Sequence, residues 1–306
     1  MTMAYTRALS YQLPFIRGED VLKLQRRLHQ LNYVQSGQID GIFGLKTAEA
    51  VKAFQQANGL TVDGIVGPLT WDEIFSEDET NTPKEKILTT LDSLLTPHNI
   101  FDGISWSVSK EGISIEGNAP EDTGGEPKTV ERIWKDYGDS ITHWSEKFGV
   151  PAELIVATIC TETRGDPAAI REEPGYISDT TTPNKVSPGI MQTLISTAQD
   201  ILGDNSINRD WLLNADNGIR AGTAYIASQW KKTDFDPPKV ACAYNAGGIY
   251  KNEGENNRWK MRQYPINSSE HADRFVKWYN DCVRYYKTID DVPGVSFTAI
   301  LSSNSQ

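Results

Sequence analysis

The stretch LIVATICTETRGDP, residues 154–167, decides how the chain is read. Six of its first seven residues are apolar, Glu162 follows within one turn, and Gly165 and Pro167 stop any helix just beyond it. A carboxylate held against apolar packing has its charged form disfavoured, so its pKa rises and it can serve as a general acid near neutral pH. Taken alone, the segment reads rather as a surface glutamate at a frayed helix end. Two segments further along shift that balance.

SPGIMQTLISTA (187–198) places Gly-Ile-Met-Gln ahead of a helix, and VACAYNAGG (240–248) ends a helix with Tyr244 and Asn245 beside flexible glycines. Gln and Asn amides hold sugar hydroxyls and acetamido groups, and a tyrosine offers an apolar face with a polar tip. Singly, Met191 is ordinary core and Asn-Ala-Gly-Gly an ordinary helix stop. In order, the blocks TETRGDP, SPGIMQTL and AYNAGG resemble three signature blocks of the soluble lytic transglycosylases, a family with a goose-type-lysozyme-like helical fold. The resemblance covers residues 129–287. It implies Glu162 as the catalytic acid/base, Met191, Gln192, Tyr244 and Asn245 as shaping the glycan cleft, and Ser187 in the place of a substrate-contacting serine. The chain departs from the family pattern at Thr163, where serine is usual, at Ile190, where leucine is usual, and at Phe275, where tyrosine is frequent. It also carries a long insertion, AAIREEPGYISDTTTPNKV (168–186). Its Pro, Gly, Ser and Thr content reads as a loop at the rim of the cleft, with Tyr176 and Arg171 as its expected glycan contacts.

An internal repeat marks the N-terminal part. DGIFGLKT (40–47) and DGIVGPLT (63–70) share Asp, Gly, Ile, Gly and Thr in register, 23 residues apart. Each Asp-Gly is a turn signal and each Thr is placed to cap a following helix. Val21, Leu24, Leu28 and Leu31 form one face of a helix before the first copy. Ala50, Val51 and Phe54 continue a second helix, and Trp71, Ile74 and Phe75 open a short third. Residues 17–76 thus resemble the three-helix peptidoglycan-binding module of wall-degrading enzymes, on the paired Asp-Gly boxes and AVKAFQQANGL (50–60).

Between the two lies an acidic stretch. Residues 76–128 carry four basic and eleven acidic residues, against seven of each in residues 1–75. With its Pro and Gly it reads as a linker, interrupted by ISWSVSKEGISIEG (104–117), whose alternation around Lys110-Glu111-Gly112 predicts a β-hairpin that packs on the next domain. Helices are expected over 129–149 and near 151–163, 194–203, 217–231, 237–244 and 269–287, and LSSNSQ (301–306) reads as disordered.

The net charge of −11 argues against nucleic acid as a partner, since phosphate binding needs clustered Lys and Arg. No apolar run reaches the length of a membrane span, and the N-terminus lacks the pattern of a secretory signal. Three scattered cysteines, Cys160, Cys242 and Cys282, suggest no disulfide framework, and the four histidines sit in no metal-ligand spacing, so neither metal nor cofactor is expected.

The expectation is a mainly α protein of three parts. A small peptidoglycan-binding domain spans 1–76, an acidic linker with a β-hairpin 77–128, and a lysozyme-like helical domain 129–306. The resemblances imply a monomeric enzyme that binds bacterial peptidoglycan and cleaves the MurNAc–GlcNAc β-1,4 bond with 1,6-anhydro ring formation. Its expected setting is that of a bacteriophage endolysin, made in the host cytoplasm and released to the wall through a holin-type lesion. Asp166, Glu173 or Asp179 would supply a second carboxylate to a hydrolytic muramidase on the same scaffold. A non-catalytic wall-binding or virion protein is the alternative outside enzymes.

Overall fold

The computed structural model describes residues 5–31, 33, 39–75, 83–125, 127–202, 204–293 and 295–303. Among them are thirteen α-helices and two small antiparallel hairpins, a mainly α protein. The chain divides into two compact units, Met1–Thr80 with Gln199–Ser206, and Asn81–Ala198 with Ile207–Gln306.

In the smaller unit, α1 (Glu19–Gln30), α2 (Leu45–Ala57) and α3 (Pro68–Ile74) enclose a core of Val21, Leu24, Leu28, Phe43, Val51, Phe54, Trp71 and Ile74. The Asp-Gly boxes are turns, as their sequence implies, with Gly41 and Gly64 both at φ 72°. The two threonines do not cap. Gly44 and Gly67 hold the N-cap positions of α2 and α3 without side-chain bonds. Thr47 and Thr70 fall inside the first turns, buried, and each accepts a hydrogen bond from a glutamine amide.

Those glutamines are the hidden half of the repeat. The Gln55 amide nitrogen donates to Asp63 Oδ1 at 2.8 Å, to the Ile65 carbonyl at 2.9 Å and to Thr70 Oγ1 at 3.2 Å, while its oxygen accepts from the Gly64 N–H at 2.9 Å. Gln25 does the same for the first box, donating to Asp40 Oδ1, the Ile42 carbonyl and Thr47 Oγ1 and accepting from the N–H groups of Asp40 and Gly41. Each buried amide therefore satisfies a turn and a helix start that would otherwise bury unpaired polar groups.

The larger unit is built around α6 (Ala152–Glu162), whose residues 152–161 are all buried. Helices α5 (Lys128–Phe148), α9 (Ala215–Ser228), α11 (Pro237–Ala246) and α12 (Glu270–Tyr286) pack on it, α12 most extensively. Shorter helices α8 (Arg209–Leu213) and α10 (Trp230–Thr233) connect these, and α7 (Ile195–Leu202) begins in this unit and ends among the residues grouped with the smaller one. The first hairpin, β1 (Trp106–Ser109) with β2 (Gly112–Ile115), forms as its alternation predicts. It rests on α12, where Asn280 Oδ1 accepts from the Ile113 N–H at 2.7 Å.

Two elements differ from the sequence expectation. Within the acidic stretch, α4 (Pro83–Leu95) buries Ile87, Leu91 and Leu94 in the core of the larger unit. At the C-terminal end, α13 (Phe297–Ser303) includes residues 301–303, so the part of LSSNSQ that is described is helical; residues 304–306 lie outside the described set. The cause of the second is Glu153. Its fully buried carboxyl accepts from the N–H groups of Phe297 and Thr298 and from the Thr298 hydroxyl, fixing the first turn of α13 against the start of α6.

The glutamine clamps yield a stability prediction. Gln55→Leu keeps the approximate bulk of the side chain but leaves Gly64, Ile65 and Thr70 with unmatched polar groups. It should cost about 2–4 kcal/mol on the scale of buried unsatisfied groups. Calorimetry of the full chain should show the smaller unit's transition moving down, with the larger unit's unchanged; an unshifted first transition refutes the clamp.

Candidate active site

Glu162 is the last residue of α6, and its side chain is 15% exposed. The apolar helix desolvates the carboxyl and pushes its pKa up to about 7, against the smaller opposing pull of the Arg274 and Arg171 guanidiniums. At pH 7 a large share of the molecules thus hold a proton on a reachable acid.

The chain then leaves α6 sharply. Thr163 caps the helix, Arg164 is left-handed at φ 56° and Gly165 follows at φ 86°. A Cβ on Gly165 would lie 2.8 Å from Ile133 Cγ1, so only glycine lets the turn lie against α5. The Thr163 hydroxyl donates to the Ile190 carbonyl at 2.7 Å. The two mild departures from the family pattern thus meet, and a threonine serves where serine is usual because only its hydroxyl is used.

Residues 186–193 form a strap beside the acid. β3 (Ile170–Glu172) pairs antiparallel with β4 (Val186–Pro188), so the insertion is a loop closed at its base by a three-residue strand pair. Gln192 has a left-handed backbone at φ 52°, and its amide nitrogen donates to the carbonyls of Gly189 at 2.9 Å and Ala169 at 3.1 Å. Ser187, buried, donates weakly to Gln192 Oε1 at 3.4 Å. Met191 is buried against Gly222 of α9, where a Cβ would lie 2.5 Å from its sulfur. The Tyr244 hydroxyl donates to the Met191 carbonyl at 2.8 Å and bonds Thr193 Oγ1 at 3.0 Å, fixing the strap to α11. Asn245 Oδ1 accepts from the Tyr264 N–H at 2.5 Å, placing the exposed ring-bearing segment of Tyr250 and Tyr264 at the end of α11.

Six of the eight residues singled out in the sequence, Glu162, Ser187, Met191, Gln192, Tyr244 and Asn245, therefore belong to α6, the strap and the end of α11. Arg171 is near enough to act on the Glu162 charge, while its side chain pairs with Glu173 at 2.8 Å. Tyr176 is turned elsewhere. Its hydroxyl donates to Asp179 Oδ1 at 2.7 Å and accepts from Arg209, which also binds Asp179 and Glu172. Trp259 is likewise core, fully buried with its indole N–H on Asp273. Among the described residues no group of His, Cys, Asp and Glu is arranged to hold a metal, and all three cysteines are free and buried.

Two neighbours of Glu162 escaped the sequence reading. His271 Nε2 lies 3.7 Å from Glu162 Oε1. Burial, helped by Arg274 and Arg171, lowers its pKa to about 3 although the ring bonds the Ala241 backbone, so a neutral imidazole faces the acid. His271 and Arg274 lie three apart on α12. That spacing was a usable signal, masked by Phe275 in place of the family tyrosine.

Residues 17–74 match the putative peptidoglycan binding domain and residues 139–267 the transglycosylase SLT domain. The chain thus joins a peptidoglycan-binding domain to an SLT domain and is a peptidoglycan-cleaving enzyme of modular build. A spore cortex-lytic enzyme of Oceanobacillus iheyensis is 28% identical over 212 residues, 66% of this chain and 71% of that protein. One of Bacillus cereus is 32% identical over 111 residues, 33% of this chain and 42% of that protein. Lytic transglycosylase Slt of Pseudomonas aeruginosa superposes loosely, with a TM-score of 0.37 and 12% identity over 91% of this chain and 58% of that one.

The raised pKa of Glu162 makes stability pH-dependent. The folded carboxyl titrates near 7 and the unfolded one near 4.5. Its contribution is fully present below about 4.5, falls as the pH rises, and is gone above about 7, a loss of about 3 kcal/mol. Glu162→Gln should therefore stabilise the chain at pH 8 relative to wild type and leave it level at pH 4, as read from urea midpoints. Equal midpoint differences at the two pH values would contradict the buried-acid geometry.

Proposed function

We propose that the chain is a lytic transglycosylase in which Glu162 is the single acid/base. What supports this reading is a carboxyl at the end of a buried apolar helix, acted on by two guanidiniums and, among the described residues, by no second carboxylate. The three acidic residues that would supply one are engaged elsewhere: Glu173 with Arg171, Asp179 with Arg209, and Asp166 with the N–H of Ala168 in its own turn. A hydrolase would need a second group to position water.

In the proposed reaction the Glu162 proton passes to the glycosidic oxygen as the bond from C1 of MurNAc breaks. The carboxylate, now paired with charge developing at C1, takes the proton of the sugar's own C6 hydroxyl, and O6 closes on C1 to give the 1,6-anhydro ring. Arg171 and Arg274 favour the anion that exists between these steps, and the pKa near 7 lets one group donate and then accept. Gln192, Ser187, Met191 and Tyr244 hold the wall of the cleft from behind, while Asn245 and the exposed rings of Tyr250 and Tyr264 offer an amide and stacking faces to the glycan. The peptidoglycan-binding module tethers this domain to insoluble wall and raises its local concentration there. A monomeric phage endolysin, released from the host cytoplasm to the wall, is the setting we infer for such a pairing.

Products decide the matter. Purified walls digested by the chain should yield muropeptides one water lighter than hydrolysis products and unchanged in mass after borohydride. Glu162→Gln should lower their formation by at least about 10²-fold. Spectra dominated by reducible muramic acid ends would make the chain a muramidase instead.

A further inference from the structure

Beside the acid lies a cavity of about 630 Å³ whose wall includes Arg164, Arg274, Lys277 and Trp278, together with Glu270 and Asp273. Glu162 is not part of its wall, but Arg164 follows Glu162 by two residues and Arg274 acts on the Glu162 charge. Most of its charges are matched. Asp273 accepts from Arg258 at 2.9 Å and from the Trp259 indole at 2.7 Å, and Lys277 pairs with Glu121 at 3.3 Å. Among the described residues the Arg164 and Arg274 side chains make no ion pair and no hydrogen bond, nor does the Glu270 carboxylate, so the cavity keeps a net positive charge.

A second observation points the same way. The Trp278 indole N–H is buried and has no hydrogen-bond partner, on a residue only 8% exposed. Buried donors are nearly always satisfied, so an orphan in the wall of a cationic cavity calls for an acceptor. The Arg164 backbone is fixed besides, since its carbonyl accepts from the Arg132 guanidinium.

We propose that this cavity binds a carboxylate of the peptide carried by the muramic acid next to the scissile bond, with Arg164 and Arg274 as its cationic partners. The inference rests on the reading of the chain as a glycan-cleaving transglycosylase and adds the part of the substrate that selects it. A planar guanidinium matches a carboxylate with two parallel hydrogen bonds, and neither the Arg164 nor the Arg274 side chain spends its donors on another group of the described residues. The strands it cleaves fastest are then those whose peptides still bear free carboxyl groups.

The test uses the full chain and two soluble glycan substrates, peptide-bearing strands and the same strands with their peptide carboxyls converted to amides. Wild type should show a kcat/KM about tenfold higher on the carboxylate strands, the scale of one charge-assisted hydrogen bond, and added salt should narrow the gap. Arg164→Gln, which leaves Glu162 and its two neighbouring guanidiniums in place, should bring the first rate down to the second and leave the amidated strands unaffected. Equal wild-type rates on the two strands overturn the proposal while leaving the transglycosylase reading intact, and they do so without any variant having to fold. An equal fall on both strands in Arg164→Gln overturns it as well. Cleavage of neither strand by wild type overturns both readings.

Discussion

The desolvation of one carboxyl governs the larger unit. A glutamate titrates near 7 only if the water around it is largely replaced by apolar side chains, and α6 achieves this by being buried along its length up to the residue before Glu162. Burying a helix on all sides takes several partners, which is why α5, α9, α11 and α12 all pack on it. The acid is then reachable only because the chain turns away immediately after it, through Thr163, Arg164 and Gly165. An ordinary surface helix carrying the same glutamate would leave it ionised.

The strap and the glutamine clamps solve one problem in two places. In both, irregular backbone must be held still near a surface, and in both a side-chain amide does it by donating to carbonyls that no helix or sheet would satisfy. Gln192 serves the strap, Gln25 and Gln55 the turns of the smaller unit. The left-handed backbone at Gln192 is affordable because its amide, the Thr163 hydroxyl and the Tyr244 hydroxyl fix the segment from three sides.

Much of this was legible in the sequence because the relevant signals are local. Three- and four-residue spacing marks α1, α2, α5 and α12, alternation marks the first hairpin, and the order of three short blocks marks Glu162 and the cleft wall. What escaped depends on distant partners. Gln25 and Gln55 look like surface residues until the Asp-Gly turns fold over them. His271 and Arg274 acquire meaning only when α12 is laid against α6, and Tyr176 looks free until Arg209, 33 residues on, takes its hydroxyl. Helix α4 was hidden by averaging: Ile87, Leu91 and Leu94 have helical spacing inside a stretch whose overall acidity reads as linker. The threonines of the repeat differ from their motif for a similar reason, since a capping motif cannot show that a glycine already occupies the cap.

The bond network of Glu153 has a consequence for the order of events during synthesis. This residue opens the helix that Glu162 closes, yet its partners are Phe297 and Thr298. Until residue 298 has left the ribosome, the buried carboxyl at the head of α6 has neither of its backbone donors, and an unmatched acid in the middle of a nascent core opposes closure around it. The domain thus completes its core only after residue 298 has been made. The closing of the core around α6 is timed by nothing more than the sequence distance between a carboxyl and the two amides that it requires.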